Sequence, residues 1–299
     1  MRRVLAAIVL LAGAIVPVLS QPVFRAGTEL VRIDALVTDD GVPVEGLTAT
    51  DFEVRDNRVA QTVAAIATIE SVQLGVVLDV SGSMTGGRMA LARRATSDLL
   101  GQLTQADRFT VVAFGDQVGI VANGGTSVAD TVAALESLQA GGGTALLDAT
   151  FAGILASDGG DGPKLLLVLT DGGNNASWLQ AGAVIDAARR HETAVYPVAV
   201  DPDRHWPKRV SWFRRTSDSL ALLRVIADQT GGRQVDAGWD RSLGEVFQTI
   251  LREYRQRYVI SFAPTGVGSG DGWHDLEVRV KRRGATVRAR TRYWAGRVN

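Results

Sequence analysis

The sequence predicts an α/β fold: a doubly wound, mostly parallel sheet flanked by helices, with a small β-sandwich-like unit formed from both chain ends. Three observations carry this. Val72–Val80 and Lys164–Thr170 are almost unbroken apolar runs, as strands buried on both faces require. Segments with apolar residues at three- and four-residue steps lie between such runs, as helices packed on a sheet require. The first and last stretches instead alternate apolar and polar residues with period two, the pattern of strands with one buried face.

In the head, Leu30–Val37 alternates and Asp39-Asp40-Gly41 signals a turn. Phe52–Asn57 ends a second strand and Val63–Ile69 offers a third. The strand Val72–Val80 is followed by a helix whose apolar face is Met89, Ala92, Ala95, Leu99 and Leu103. Phe109–Phe114 is the next strand, and Val128–Leu138 and Ala145–Ala156 are helices, the second opening after Gly141-Gly142-Gly143-Thr144. Then come a strand at Lys164–Thr170, a helix at Leu179–Arg190 and a strand at Ala194–Val200. A helix at Asp218–Gln229 is stopped by Gly231-Gly232, and Arg233–Val235 is a short strand.

In the tail, a helix at Leu243–Tyr254 precedes a strand at Tyr258–Phe262 and a loop at Gly266–Gly272. Leu276, Val278 and Val280 then alternate with Arg279 and Lys281. Beyond the turn at Arg283-Gly284, Val287, Ala289 and Thr291 alternate with Arg288, Arg290 and Arg292. This reads as a hairpin with one buried face and one solvated basic face. The expected organisation is a signal peptide (1–20), an N-terminal β segment (21–70), the α/β domain (71–240), and a C-terminal helix and hairpin (241–299) packing with the N-terminal strands.

With 46% hydrophobic and 21% charged residues, the 299-residue chain has ample material for a core, which excludes a disordered or collagen-like protein. Thirty-two basic residues balance 32 acidic ones, so no global charge points to nucleic acid or a membrane surface. The absence of cysteine excludes disulfides, thiolate metal sites and a cysteine nucleophile. No lysine follows a glycine, the three histidines are far apart, and neither G-x-S-x-G nor G-x-G-x-x-G occurs, so common phosphate-handling and hydrolase signatures are missing.

Met-Arg-Arg, the apolar run Val4–Val16 and Pro17-Val-Leu-Ser20-Gln21 form a signal-peptide pattern. The run is too short to span a bilayer, and Val18 and Ser20 favour cleavage before Gln21. The mature chain is expected to lack a membrane span and to be periplasmic or secreted.

The chemistry-bearing residues fall where apolar strands end. Asp79-Val-Ser81-Gly-Ser83 places a carboxylate and two hydroxyls at spacing two. Thr144 follows three glycines, and Asp171 ends Leu165–Thr170 before Gly172-Gly173. In an open α/β sheet these loops meet outside the carboxyl ends of the strands, where ligands bind. Two carboxylates and three hydroxyls form an all-oxygen set suited to a hard cation, Mg²⁺ first, then Mn²⁺ or Ca²⁺.

At these residues the sequence resembles the von Willebrand factor type A domain, a Rossmann-like fold. Asp79, Ser81, Ser83, Thr144 and Asp171 match the D-x-S-x-S…T…D pattern of its metal-ion-dependent adhesion site, over about Leu74 to Asp236. The flanks, in Leu47–Val54 and Tyr258–Pro264, bear a weaker likeness to exported bacterial proteins of the same group. The resemblance implies that Ser81, Ser83 and Thr144 ligate the cation through hydroxyls while Asp79 and Asp171 act partly through waters. One coordination position would remain for an acidic residue of a protein partner, making the chain a non-enzymatic interaction module. A metal-dependent hydrolase is the alternative, against which no histidine, lysine or third carboxylate near the motif is an evident base. A scaffold or assembly factor of an envelope complex is a third reading.

Asp201–Ser219 reads as a long basic and aromatic loop bearing Trp206, Trp212, Phe213 and Arg214, leaving the same edge of the sheet. Such a loop either recognises a partner or covers the domain. His191 is expected to close its helix rather than catalyse.

Overall fold

The computed structural model describes residues 30–160, 162–200, 211–238, 242–268 and 272–296, with only the backbone of 211–218. The head supplies β1 (Val31–Asp39), β2 (Val42–Pro43), β3 (Phe52–Asp56), β4 (Val59–Gln61) and β5 (Val63–Thr68). The central region runs β6 (Gln73–Asp79), α1 (Gly87–Leu100), β7 (Arg108–Phe114), β8 (Val118–Ala122), α2 (Val128–Ser137), α3 (Leu146–Ala156), β9 (Lys164–Thr170) and α4 (Ala181–Arg190). It continues with β10 (Thr193–Val200), α5 (Ser211–Thr230), β11 (Val235–Ala237) and α6 (Ser242–Arg255). The tail supplies β12 (Tyr258–Phe262), β13 (Gly272–Val280), β14 (Ala285–Arg288) and β15 (Arg292–Ala295).

The central sheet has the order β11-β10-β9-β6-β7-β8 and is parallel except for β8, which runs antiparallel to β7. Its inner strands β6, β9 and β10 are almost wholly apolar because both their faces are covered. Leu165, Leu167 and Leu169 of β9 pack with α1 and α6, through Met89, Leu99, Phe247 and Tyr254. Leu166 and Val168 pack on the other face with α3, α4 and α5, through Leu146, Val184, Leu223 and Ile226. The predicted doubly wound α/β architecture is thus the observed one.

Head and tail strands form two further sheets. One has the order β14-β1-β12-β5, with β2 also on β1; the other has the order β15-β13-β3-β4. Val31 lies opposite Phe262 and Ala35 opposite Tyr258 along β1 and β12. The core between the sheets contains Ile33, Val37, Phe52, Val54, Ile260, Phe262 and Leu276.

The tail departs from the expected hairpin. β14 pairs with β1, whereas β13 pairs with β3 and β15. The turn at Gly284, where φ is +86°, therefore carries the chain from one sheet to the other. Period-two alternation fixes which face is turned inward but not which strand is the partner, and Val278 and Val287 are half-buried against the sandwich core. The predicted strand through Thr291 is broken between β14 and β15, where the backbone at Ala289 and Arg290 presses against Gly231.

The basic stripe is not uniformly solvated either. Arg290 is buried and donates to Glu192 Oε1 at 2.8 Å, and Arg288 donates to Gly232 O at 3.2 Å, tying the tail to the central domain. A buried Arg257 adds a second tie, donating to Tyr196 Oη at 2.6 Å and to the carbonyls of Gly231 and Asp34. Among the described residues no helix is long and apolar enough to cross a membrane. Residues 1–20, where the signal peptide is expected, lie outside the described residues.

Candidate functional site

Asp79 ends β6 with its side chain fully buried. Its carboxylate accepts the Ser81 N–H at Oδ1 (2.9 Å) and the Thr170 hydroxyl at Oδ2 (2.9 Å). The Thr170 hydroxyl in turn accepts the Gly172 N–H at 3.0 Å, so Asp79 is clamped between the ends of β6 and β9. Ser81, also buried, is followed by a 3-10 turn at Gly82–Met84 that brings the Ser81 and Ser83 hydroxyls to 3.1 Å. Ser83 itself faces solvent, and Arg88 donates to its carbonyl at 3.1 Å.

The glycine loop is laced to this edge. Gly141 N–H donates to Val80 O (2.8 Å), Gly82 N–H to Gly142 O (3.2 Å), and Ala145 N–H to Gly115 O (2.7 Å). Gly142 has φ of +76°, a conformation that favours glycine, and the Asp116 carboxylate lies directly over it: a Cβ there would come within 2.7 Å of Asp116 Oδ1. Thr144 is held by Asn175, whose side-chain oxygen accepts the Thr144 N–H at 2.8 Å. Gly173 lies against both Thr144 and Asp171: a Cβ there would sit 3.2 Å from Thr144 Oγ1 and 3.6 Å from Asp171 Oδ1. The backbone of this glycine lets the third hydroxyl and second carboxylate approach each other.

The five motif residues thus emerge on one rim, at the carboxyl ends of β6 and β9 and in the loop before α3. Burial pushes the Asp79 carboxyl up to about 6, and the charge of Asp171 adds to the rise; hydrogen bonds from Ser81 and Thr170 oppose it. The groups acting most strongly on Asp79 are thus a second carboxylate and neutral donors, with no cation among them. Two buried carboxylates beside three hydroxyls are a donor set that a divalent cation fits.

Sequence reasoning missed four residues here. Thr170 and Asn175 position Asp79 and Thr144, and Asp148, in the first turn of α3, binds the loop after Asp171. Asp116, exposed in the turn between β7 and β8, stands against Gly142 and is a third carboxylate beside the motif. Only Asp116 had a visible signal, as an acidic residue just past an apolar strand.

The 201–219 region also differs from expectation. Trp206 lies outside the described residues, whereas Trp212, Phe213 and Arg214 belong to the first turn of α5, which begins at Ser211 rather than Asp218. The stretch from Ser211 onward is therefore helix, not loop. His191 caps α4 and pairs with Asp158 at 2.6 Å, and His274 is buried against Asp56 at 2.8 Å in the sandwich, so neither reaches the rim.

The segment 74–174, which carries all five motif residues, matches the family model of the von Willebrand factor type A domain. This part of the chain is a von Willebrand factor type A domain. An uncharacterised protein of Synechocystis sp. is 34% identical over 122 residues, 37% of this chain; the match spans only 28% of that relative's length. Among solved structures, an aerotolerance-related membrane protein from Bacteroides fragilis is similar at 18% identity, covering 62% of this chain and 98% of its own, with a TM-score of 0.47. A von Willebrand factor type A protein from Catenulispora acidiphila is similar at 16% identity, covering 91% and 74%, with a TM-score of 0.48. Proximal thread matrix protein 1 from the mussel byssus, with a zinc-occupied adhesion motif, is similar at 18% identity, covering 67% and 49%, with a TM-score of 0.49. Identities this low say nothing of ligand or partner.

Proposed function

We propose that this is an exported interaction module that captures an acidic group of a protein partner through a divalent cation. Asp79, Ser81, Ser83, Thr144 and Asp171 would hold that cation. The observation that carries the reading is their convergence on one rim, where the buried Asp79 lies close enough to Asp171 to be raised by it. An oxygen-only set without histidine or cysteine favours Mg²⁺, then Mn²⁺ or Ca²⁺. When bound, the cation would supply an electrophilic position for an incoming carboxylate, because three of its five protein ligands are neutral.

The chain's own residues do the rest. Thr170 and Ser81 aim the Asp79 carboxylate, Asn175 fixes the backbone of Thr144, and Gly173 leaves room for Thr144 and Asp171 to meet. Asp116 lends the hydrolytic alternative one carboxylate, but without a histidine or lysine partner among the described residues it is a weak candidate base. Export rests on the signal-peptide pattern of residues 1–20, with cleavage before Gln21 and a periplasmic or secreted mature chain.

Calorimetric titration of Mg²⁺ into the wild type and Asp79→Ala tests the metal. The variant should fold and lose Mg²⁺ binding. Unchanged affinity in the variant would refute the assignment.

A further inference from the structure

Trp178 lies in the connection from β9 to α4 and is 94% exposed. It is the largest and most exposed apolar side chain among the described residues; the next, Val42, is 66% exposed. Full exposure of an indole is unusual, because tryptophan has more apolar surface to hide than any other residue.

Its backbone, by contrast, is firmly held. Trp178 N–H lies 3.1 and 2.9 Å from the two Asp148 oxygens, and Leu179 N–H donates to Asp148 Oδ1 at 2.8 Å. Ser177 Oγ donates to Asn174 Oδ1 at 2.6 Å and accepts the Leu147 N–H at 3.0 Å. Asn175 and Ala176 both donate backbone N–H groups to Thr144 O, at 3.0 and 3.1 Å. The chain therefore fixes the main chain around a side chain that packs on almost nothing. A rigidly presented aromatic loses little entropy on being covered, which is how binding hot spots are built.

The same contacts place Trp178 beside the motif. Asp148 stands in the first turn of α3, which opens at Leu146, two residues after Thr144. Asn175, three residues before Trp178, holds Thr144 directly.

We infer that Trp178 is the apolar anchor of the partner site. The rim takes a protein segment whose acidic side chain reaches the cation and whose aromatic or large aliphatic side chain covers the indole. Asp148 is taken up by backbone donors, and the exposed indole itself offers apolar contact as the recognition chemistry at this position. This inference rests on the cation-capture reading above.

The test uses the full mature chain on an array of Gly/Ser-based peptides. Each peptide carries one Asp and, at varied spacing on either side, a Phe, Leu or Gly. Wild type, Trp178→Ala and Asp79→Ala are compared in Mg²⁺ and in chelator, and Mg²⁺ affinity is measured by calorimetry for each. Wild type in Mg²⁺ should prefer Asp–Phe and Asp–Leu peptides over Asp–Gly by about tenfold. Trp178→Ala should keep Mg²⁺ affinity and weak Asp–Gly binding but lose that preference, and Asp79→Ala should lose both.

A preference that survives in Trp178→Ala, or is absent from the wild type, overturns the inference while Mg²⁺-dependent Asp binding keeps the capture reading. Binding that ignores Mg²⁺, or no binding by any peptide, overturns both. Polygalacturonate serves as a separate probe: retention of it through Trp178, with no peptide preference, would assign the indole to an acidic polysaccharide and overturn the protein partner.

Discussion

The charge on Asp79 is one that the fold makes costly, and the cost can be measured. The side chain is fully buried, and burial together with Asp171 raises its pKa from 3.8 to about 6. Since the folded value lies above the unfolded one, the folded chain binds this proton more tightly. The resulting stability is fully present below about pH 4 and is lost as pH rises through about 6. A rise of about two units is worth roughly 3 kcal/mol. Asp79→Asn removes the charge but keeps the shape: its oxygen can still accept the Ser81 N–H, and its amide can donate to the Thr170 hydroxyl. In chelator, urea unfolding of wild type and Asp79→Asn at about pH 4 and about pH 7.5 should therefore diverge. The wild type should lose about 2–3 kcal/mol relative to the variant across that interval. Saturating Mg²⁺ should restore the wild type at the higher pH, because a bound cation offsets both carboxylates, and should leave the variant little changed. Parallel pH dependence of the two proteins in chelator would refute the reasoning.

Arg257→Met should cost about 3–5 kcal/mol in urea unfolding, because the buried Asp34, whose charge Arg257 helps to offset, would lose its main counter-charge. Adding Asp34→Asn should recover part of that loss, and no recovery would show that Arg257 acts through Tyr196 and the backbone carbonyls instead. Deleting residues 265–299 removes β13, β14 and β15, the partners of β3 and of the second half of β1, so hydrogen exchange should accelerate across 36–56. Full protection of that stretch in the truncated chain would refute the pairing.

What could be read from the sequence follows from what each pattern encodes. Strands buried on both faces declare themselves as apolar runs; β9 occupies Lys164–Thr170 as expected, and β6 and β10 lie within a residue of their predicted bounds. Asp79 and Asp171 were legible for the same reason, since a carboxylate ending such a run must lie at the sheet's edge. The short strands β2, β4, β8 and β15 were missed. Each has five residues or fewer, and β8 contains Gly119, so alternation has no length in which to register. The start of α5 was missed because Ser211–Asp218 lacks an apolar stripe. Trp178 escaped notice because its exposure depends on Asp148 thirty residues away, a contact no local pattern records.

Chain direction explains why, among the described residues, the sandwich stands off the rim. Every parallel strand of the central sheet ends at that edge, so Asp79 and Asp171 emerge there. The head enters the domain through the link Ile69–Val72, at the start of β6 and hence at the opposite edge. The tail leaves through α6, which follows β11 and must run back from the rim; near its end Tyr254 donates to the carbonyl of Lys164, the first residue of β9, at 2.9 Å. Both links therefore reach the same amino edge, where β1 and β12 can pair. The ties across the seam agree: Tyr254 also lies 3.2 Å from Asp34 of β1, and Arg290 meets Glu192, just before β10. A groove of about 1160 Å³ runs along this seam, lined by Leu47, Ile66, Gly162, Pro163 and Tyr258. A partner seated on the cation and Trp178 would thus approach the edge remote from the sandwich and displace none of its contacts.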